Sequence, residues 1–263
     1  MYAFDIERPT SLEDAKAAIA AGGQPLSGGQ TLIPTLKQRL AMPEKLVSLH
    51  HIDALKGIST DGEGRLCIKG ATTHATVARE AKDSFPALAS LAARIGDPAV
   101  RNRGTIGGSL ANNDPSACYP AAALATGATI CTDRREIAAD DYFQGMFTTA
   151  LEEGEIVTEV KFPVPQAAAY EKFIQPASRF PLVAVFAARF GDGVRIAITG
   201  AAEEGVFRWT EAEEKLSGDF SAGTIDGLSV SPDGMIGDLH GSKEYRAHLV
   251  GVMTKRAVTA ANG

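Results

Sequence analysis

LSGGQTLIPTLKQRLA, residues 26–41, places two adjacent glycines after an apolar residue and follows them with Gln30, Thr31 and a proline-led amphipathic run. Ordered glycine is entropically costly, so a pair of them implies that something approaches the backbone closely. A second pair stands in similar dress in RNRGTIGGSLANNDPSACYPAAALA, residues 101–125. Neither follows the GxGxxG spacing of a dinucleotide-binding turn or the GxxxxGK spacing of a P-loop. Each pair leaves an apolar run and carries hydroxyl or amide side chains at its flank. Backbone amides freed by glycine, with the hydroxyls of Thr31, Thr105 and Ser109, can form a nest for phosphate oxygens that needs no lysine. Pro34 suits the first position of a helix, which would aim the preceding amides at an anion. Either pair alone reads as an ordinary turn; the two together point to a shared ligand.

The remaining chain frames these loops. It has 263 residues, 44% hydrophobic and 22% charged, and a formal net charge of −6. That balance is ordinary for a globular protein and argues against nucleic acid, whose partners are normally basic. An anion bound here must be held by local dipoles rather than by the overall field. No apolar run is long enough to cross a bilayer, and the start, MYAFDIERPT, lacks the features of a signal peptide; a cytoplasmic protein is expected. Cys67, Cys118 and Cys131 are too few and too scattered for a disulfide framework, a zinc site or an iron–sulfur cluster.

TSLEDAKAAIAAG reads as a first helix, capped at Thr10 or Ser11 and stopped by Gly22. QPLSGG, KLVSLHHI, RLCIKGATT and EIVTEVKFPV read as strands. THATVAREAKDSF and PALASLAARIG read as helices, whereas residues 100–120 show little periodicity. FPLVAVFAARFGDGVRIAITGAA is a hairpin, TEAEEKLSGD a short helix and GSKEYRAHLVGVMTKRAVTAA a final amphipathic one. The expected architecture is α+β: residues 1–166 as one domain and residues 167–263 as a smaller sheet-and-helix domain. His50 and His51, on a strand, would point to opposite faces and could not chelate from one side. Arg101 and Arg103 flank the second loop as candidate phosphate contacts or solvated arginines. No Ser-His-Asp or Cys-His constellation is evident.

Residues 27–40 and 101–125 resemble the two flavin-binding loops of the medium subunit of molybdenum hydroxylases, the xanthine dehydrogenase and carbon monoxide dehydrogenase family. DDYFQGMFTTALEEGEIVTEVKFP, YEKFIQPASRFPLVAVFAAR and GSKEYRAHLVGVMTKRA extend the resemblance, in order, along nearly the whole chain. It implies a vanillyl-alcohol-oxidase-type FAD-binding domain followed by a C-terminal domain with a three-stranded antiparallel sheet and helices. Carried over by position, Ser27, Gly28, Gly29, Gln30, Thr31 and Leu32 with Thr105, Ile106, Gly107, Gly108 and Ser109 would hold the pyrophosphate of a non-covalent FAD. Asn112 and Asp114 would contact the ribityl or adenosine portion, and Leu151 the flavin or adenine ring. Gln175 falls near where some relatives carry a lysine beside the isoalloxazine. Cys118 stands where some relatives have an acidic residue. The resemblance further implies a large molybdopterin-bearing subunit, a small subunit with [2Fe–2S] clusters, and a dimer of heterotrimers, in which this chain passes electrons from the clusters to an external acceptor. The rival readings are a stand-alone FAD reductase or oxidase of the same fold and a non-enzymatic nucleotide-binding scaffold.

Overall fold

In a computed structural model, which describes residues 1–176 and 178–263, three larger sheets and a two-stranded ribbon are accompanied by helices. The chain begins with a small parallel sheet, Asp5–Glu7, Lys45–Ser48 and Gln24–Leu26, with Lys45–Ser48 in the centre. The helix Leu12–Ala20 makes the first crossover. Its cap is Ser11, whose hydroxyl accepts from the Asp14 N–H, and Ala15, Ala18 and Ile19 bury its inner face.

An antiparallel sheet follows in the order Ile58–Thr60, Leu66–Lys69, Val157–Phe162, Thr129–Thr132, Glu136–Ala138. The chain therefore returns after some 90 residues to place Val157–Phe162 at the centre of this sheet. The excursion holds the helices His74–Glu80, Pro86–Ala93, Pro98–Arg101, Ile106–Asn112 and Tyr119–Thr126. Tyr119–Thr126 is buried at all eight positions, which explains why its alanine-rich sequence shows no polar face.

The third sheet is antiparallel and consecutive: Ala167–Ile174, Pro181–Phe190, Gly193–Ala202 and Gly205–Arg208. It thus has four strands where three were expected. The additional one is short, follows a tight turn at Glu203 and Glu204, and opens on Gly205 at a positive φ of 98°. Pro181–Phe190 is buried along its first eight residues because both faces of the sheet are covered. One face packs Phe186, Ala184 and Ala188 into the same core as Phe85, Phe162 and Tyr119; the other packs Val183, Val185 and Ala187 against the helices Thr210–Gly218 and Lys243–Asn262.

Two local expectations change. His50 and His51 lie in a 3₁₀ turn rather than on a strand, exposed and edge to face. The stretch read as aperiodic contains the helix Ile106–Asn112, whose paired glycines mask it in the sequence.

Candidate FAD site

The strand Gln24–Leu26 leads into Ser27, Gly28 and Gly29, and the helix Leu32–Lys37 follows. Pro34 occupies the third helical position rather than the first, still within the turn whose N–H groups need no helical partner. Gly29 is left-handed, φ +70°, and its carbonyl accepts from Ile33 N–H at 3.1 Å. Among the described residues, the N–H groups of Gly28, Gly29, Gln30 and Thr31 donate to no protein acceptor. Four successive free amides around a left-handed glycine are an anion nest.

The second loop works differently. Ile106 N–H donates to Thr72 O, Gly107 N–H to Gly70 O, Gly108 N–H to the Thr105 hydroxyl and Ser109 N–H to Thr105 O. Its amides are therefore committed to holding residues 104–109 against residues 70–74. What it offers a ligand is the Thr105 and Ser109 hydroxyls.

The two loops also grip each other. The Ser27 and Thr105 hydroxyls lie 2.8 Å apart, and a methyl group on Gly28 would stand 2.2 Å from Arg103 O and 2.7 Å from Gly104 Cα. A methyl on Gly107 would stand 2.7 Å from Gly70 O. The close approach that these glycines permit is thus chain against chain. Arg101 joins in by donating to Ile95 O and Gly96 O, which directs its guanidinium to the protein rather than to a phosphate.

The loops open on a cleft of about 1680 Å³, above the roughly 300–1,000 Å³ of common small-molecule sites. Ser27 to Leu32, Thr105, Gly107, Gly108, Ser109, Asn112, Asp114 and Leu151 all line it. Two of the expected site residues do not. Ile106 is fully buried in the core, and Gln175 sits in the turn after Ala167–Ile174, its N–H on Phe180 O and its side chain on Ser178.

One part of the wall is charged but paired. Lys16 lies 3.6 Å from Asp133, and Arg134 reaches Glu152 at 3.0 Å. Glu155 organises this part. Burial opposes its charge, but hydrogen bonds from Arg135, the Glu152 N–H and the Thr132 hydroxyl outweigh burial and bring its carboxyl down to about 2. The other part contains Ile95, Val100, His74, Cys118, Lys172 and Phe180. His74 is buried with Nδ1 unpartnered; burial, then the nearby Arg101, lowers it to about 4, so the imidazole is neutral.

His74, Lys172 and Asn113 escape a reading of the sequence. Lys172 had one visible signal: it shares a strand face with the buried Tyr170, two residues before it. Asn113, left-handed at φ +42°, donates through its amide to Gly145 O and Thr148 O, both at 2.8 Å, and so pins the ribbon Phe143–Gly145/Thr148–Thr149 beside the cleft.

The donor set fits a dinucleotide: free amides and hydroxyls for two phosphates, between wall segments that can take a base at either side. Comparison with known proteins agrees. Residues 2–165 match the family described as the FAD binding domain in molybdopterin dehydrogenase. The carbon monoxide dehydrogenase medium chain of Afipia carboxidovorans is 33% identical over 98% of this chain and 96% of its own length. The glyceraldehyde dehydrogenase medium chain of Sulfolobus acidocaldarius is 31% identical over 97% and 96%. In reconstituted CO dehydrogenase from Oligotropha carboxidovorans, a chain with 33% identity superposes with a TM-score of 0.89 over 99% of this chain and 98% of that one. Quinoline 2-oxidoreductase from Pseudomonas putida 86 gives 0.89 at 29% identity over 100% and 98%. This chain therefore belongs to the FAD-binding medium subunits of the molybdenum hydroxylases, an oxidoreductase subunit whose cofactor is FAD.

Proposed function

We propose that this chain is the electron-transfer subunit of a molybdenum-containing hydroxylase or dehydrogenase. The observation that carries the reading is the interlocked pair of loops, which leaves four amides unpaired at the mouth of a cleft large enough for a dinucleotide. When bound, FAD would supply the redox chemistry of a relay between the [2Fe–2S] clusters of a small partner subunit and an external acceptor. The chain's own residues bind and orient it non-covalently. Gly28 to Thr31 offer amides to the pyrophosphate, and Ser27, Thr105 and Ser109 offer hydroxyls. Asn112, Asp114 and Leu151 line the wall beyond. Cys67, Cys118 and Cys131 are buried free thiols on separate elements, and among the described residues no three His, Cys, Asp or Glu side chains gather as a metal site. We assign the clusters and the molybdopterin accordingly to a small and a large partner subunit.

The same reading includes a cytoplasmic dimer of heterotrimers, a vanillyl-alcohol-oxidase-type arrangement of residues 1–166, and a separate role for residues 167–263 in bracing the assembly. Among the described residues no helix is long and apolar enough to cross a membrane.

The test is anaerobic. Substrate is added to the assembled complex and the FAD absorbance is followed; the mixture is then repeated without the cluster subunit. Bleaching only in the complete mixture is expected. Equal rates in both, or substrate oxidation by this chain alone, would overturn the subunit reading in favour of a stand-alone flavoenzyme. A chain that retains no FAD under any condition would leave the scaffold reading.

A further inference from the structure

Lys172 is 6% exposed and yet has no carboxylate partner among the described residues. Its Nζ donates to Arg94 O at 3.0 Å and reaches Cys118 Sγ at 3.6 Å, a carbonyl and a cysteine sulfur, and the Arg94 side chain that acts on it has the same sign. Arg94 itself donates to the carbonyls of Tyr170 and Lys172 and stands 3.7 Å from Glu171, so the local carboxylate is engaged elsewhere. A buried amine held this way is costly in its charged form unless an anion arrives. Burial lowers its pKa, as that cost requires. Lys172 also lines the cleft, so the missing negative charge has a place to come from.

Two anions are available on FAD. The pyrophosphate has its own cradle in the amides of Gly28 to Thr31 and the adjoining hydroxyls. The isoalloxazine takes up negative charge only on reduction. The Lys16–Asp133 and Arg134–Glu152 part of the wall is already charge-balanced and suits a neutral purine. The Lys172 part combines an unbalanced amine with Ile95, Val100 and Phe180, which suits an aromatic ring whose charge changes. Resting on the FAD assignment above, we propose that Lys172 faces the flavin ring and acts as a positioning residue that favours its reduced form, setting the potential at which this subunit accepts electrons.

The experiment compares the FAD-loaded wild-type chain with Lys172→Met, Lys172→Gln and Lys172→Arg, in the complex or alone, by anaerobic redox titration together with dissociation constants for oxidised and reduced FAD. Gln keeps a donor for Arg94 O and so serves if the Met variant folds poorly. The expected result is that Met and Gln weaken reduced FAD about tenfold more than oxidised FAD, equivalent to a two-electron potential lower by about 30 mV, and that Arg restores most of the difference. A potential unchanged in Met and Gln would overturn the proposal. Equal weakening of both redox forms would also overturn it, because it assigns the lysine to a fixed charge such as the phosphates. Failure of the wild-type chain to bind FAD at all would instead overturn the cofactor assignment beneath it.

Discussion

Replacing Gly28 with alanine tests the interlock directly. The added methyl would stand 2.2 Å from Arg103 O, whereas ordinary van der Waals contact begins at 3.4 Å, so the two loops must part by about 1 Å. The obstructing atom is backbone, and no side-chain rotation can relieve it. Overpacking of this kind costs about 1–3 kcal/mol. For a chain of this size, about 2–4 °C of melting temperature accompanies each kcal/mol, so the apo-chain should melt roughly 2–12 °C lower. The same parting lengthens the Ser27–Thr105 contact, now 2.8 Å, and splays the amide nest. Loss of one hydrogen bond to a charged group is worth about 1.5–3 kcal/mol, so FAD affinity should fall by about tenfold to a hundredfold. Gly62→Ala is the control: its site is open, and both readouts should stay within about 0.5 kcal/mol of wild type. Differential scanning fluorimetry and flavin fluorescence titration measure the two effects. A Gly28→Ala chain with unchanged melting and unchanged affinity would refute the interlock.

Glu155→Gln should destabilise the chain at neutral pH by about 1–3 kcal/mol, since it weakens the hydrogen bonds that the buried carboxylate accepts, among them that from the exposed Arg135. Because the folded carboxyl is depressed from 4.5 to about 2, its contribution is fully present above about 4.5 and is lost as pH falls towards about 2; urea titrations should show the gap between wild type and variant closing over that window, and a gap independent of pH would refute the assignment. Asn113→Ala removes two hydrogen bonds and leaves alanine at φ +42°, for a loss of roughly 2–4 kcal/mol, whereas Asn113→Gly should lose less because the backbone strain is absent. Equal melting temperatures for the two variants would show that the left-handed backbone contributes nothing.

Much of this site was legible because its chemistry is local. Two Gly-Gly pairs flanked by hydroxyls stand out in the chain, and thirteen of the fifteen positions carried over from the family resemblance line one cleft. The purpose of the glycines was harder to read. In sequence, a glycine that accommodates a phosphate looks the same as one that accommodates a carbonyl 75 residues away. Gly28 needs the space for Arg103 O, a contact that arises only where the two loops cross, and Gly107 for Gly70 O, where the second loop lies against residues 70–74.

The elements that escaped reading did so for related reasons. Tyr119–Thr126 has no polar face because the four-stranded sheet and the neighbouring helices enclose it, and periodicity is informative only for half-buried helices. Ile106–Asn112 contains two poor helix formers and is sustained by the Thr105 cap and by bonds to residues 70–72. Gly205–Arg208 is too short to show alternation, and its pairing with Gly193–Ala202 supplies its stability. Lys172 went unread because its one local signal, an apolar Tyr170 on the same strand face, is a single residue and does not by itself mark that face as the buried one.

The interlock and the free amides are two aspects of one device. A chain with net charge −6 gains nothing from its overall field when it binds a dianionic pyrophosphate, so attraction must come from dipoles at contact range. A lysine can swing to meet a phosphate, but a backbone amide points where its peptide plane points. An amide nest works only if the loop carrying it is fixed before the ligand arrives. Here the N–H groups of Gly28 to Thr31 are left for the ligand, so they cannot also secure the loop. The securing falls to the other chain segment, whose own amides are spent on Gly70, Thr72 and Thr105, and to the Gly28–Arg103 contact that no side chain could share. One loop is bound so that the other can remain unbound, and glycine is required at the crossing because that is where the two backbones meet.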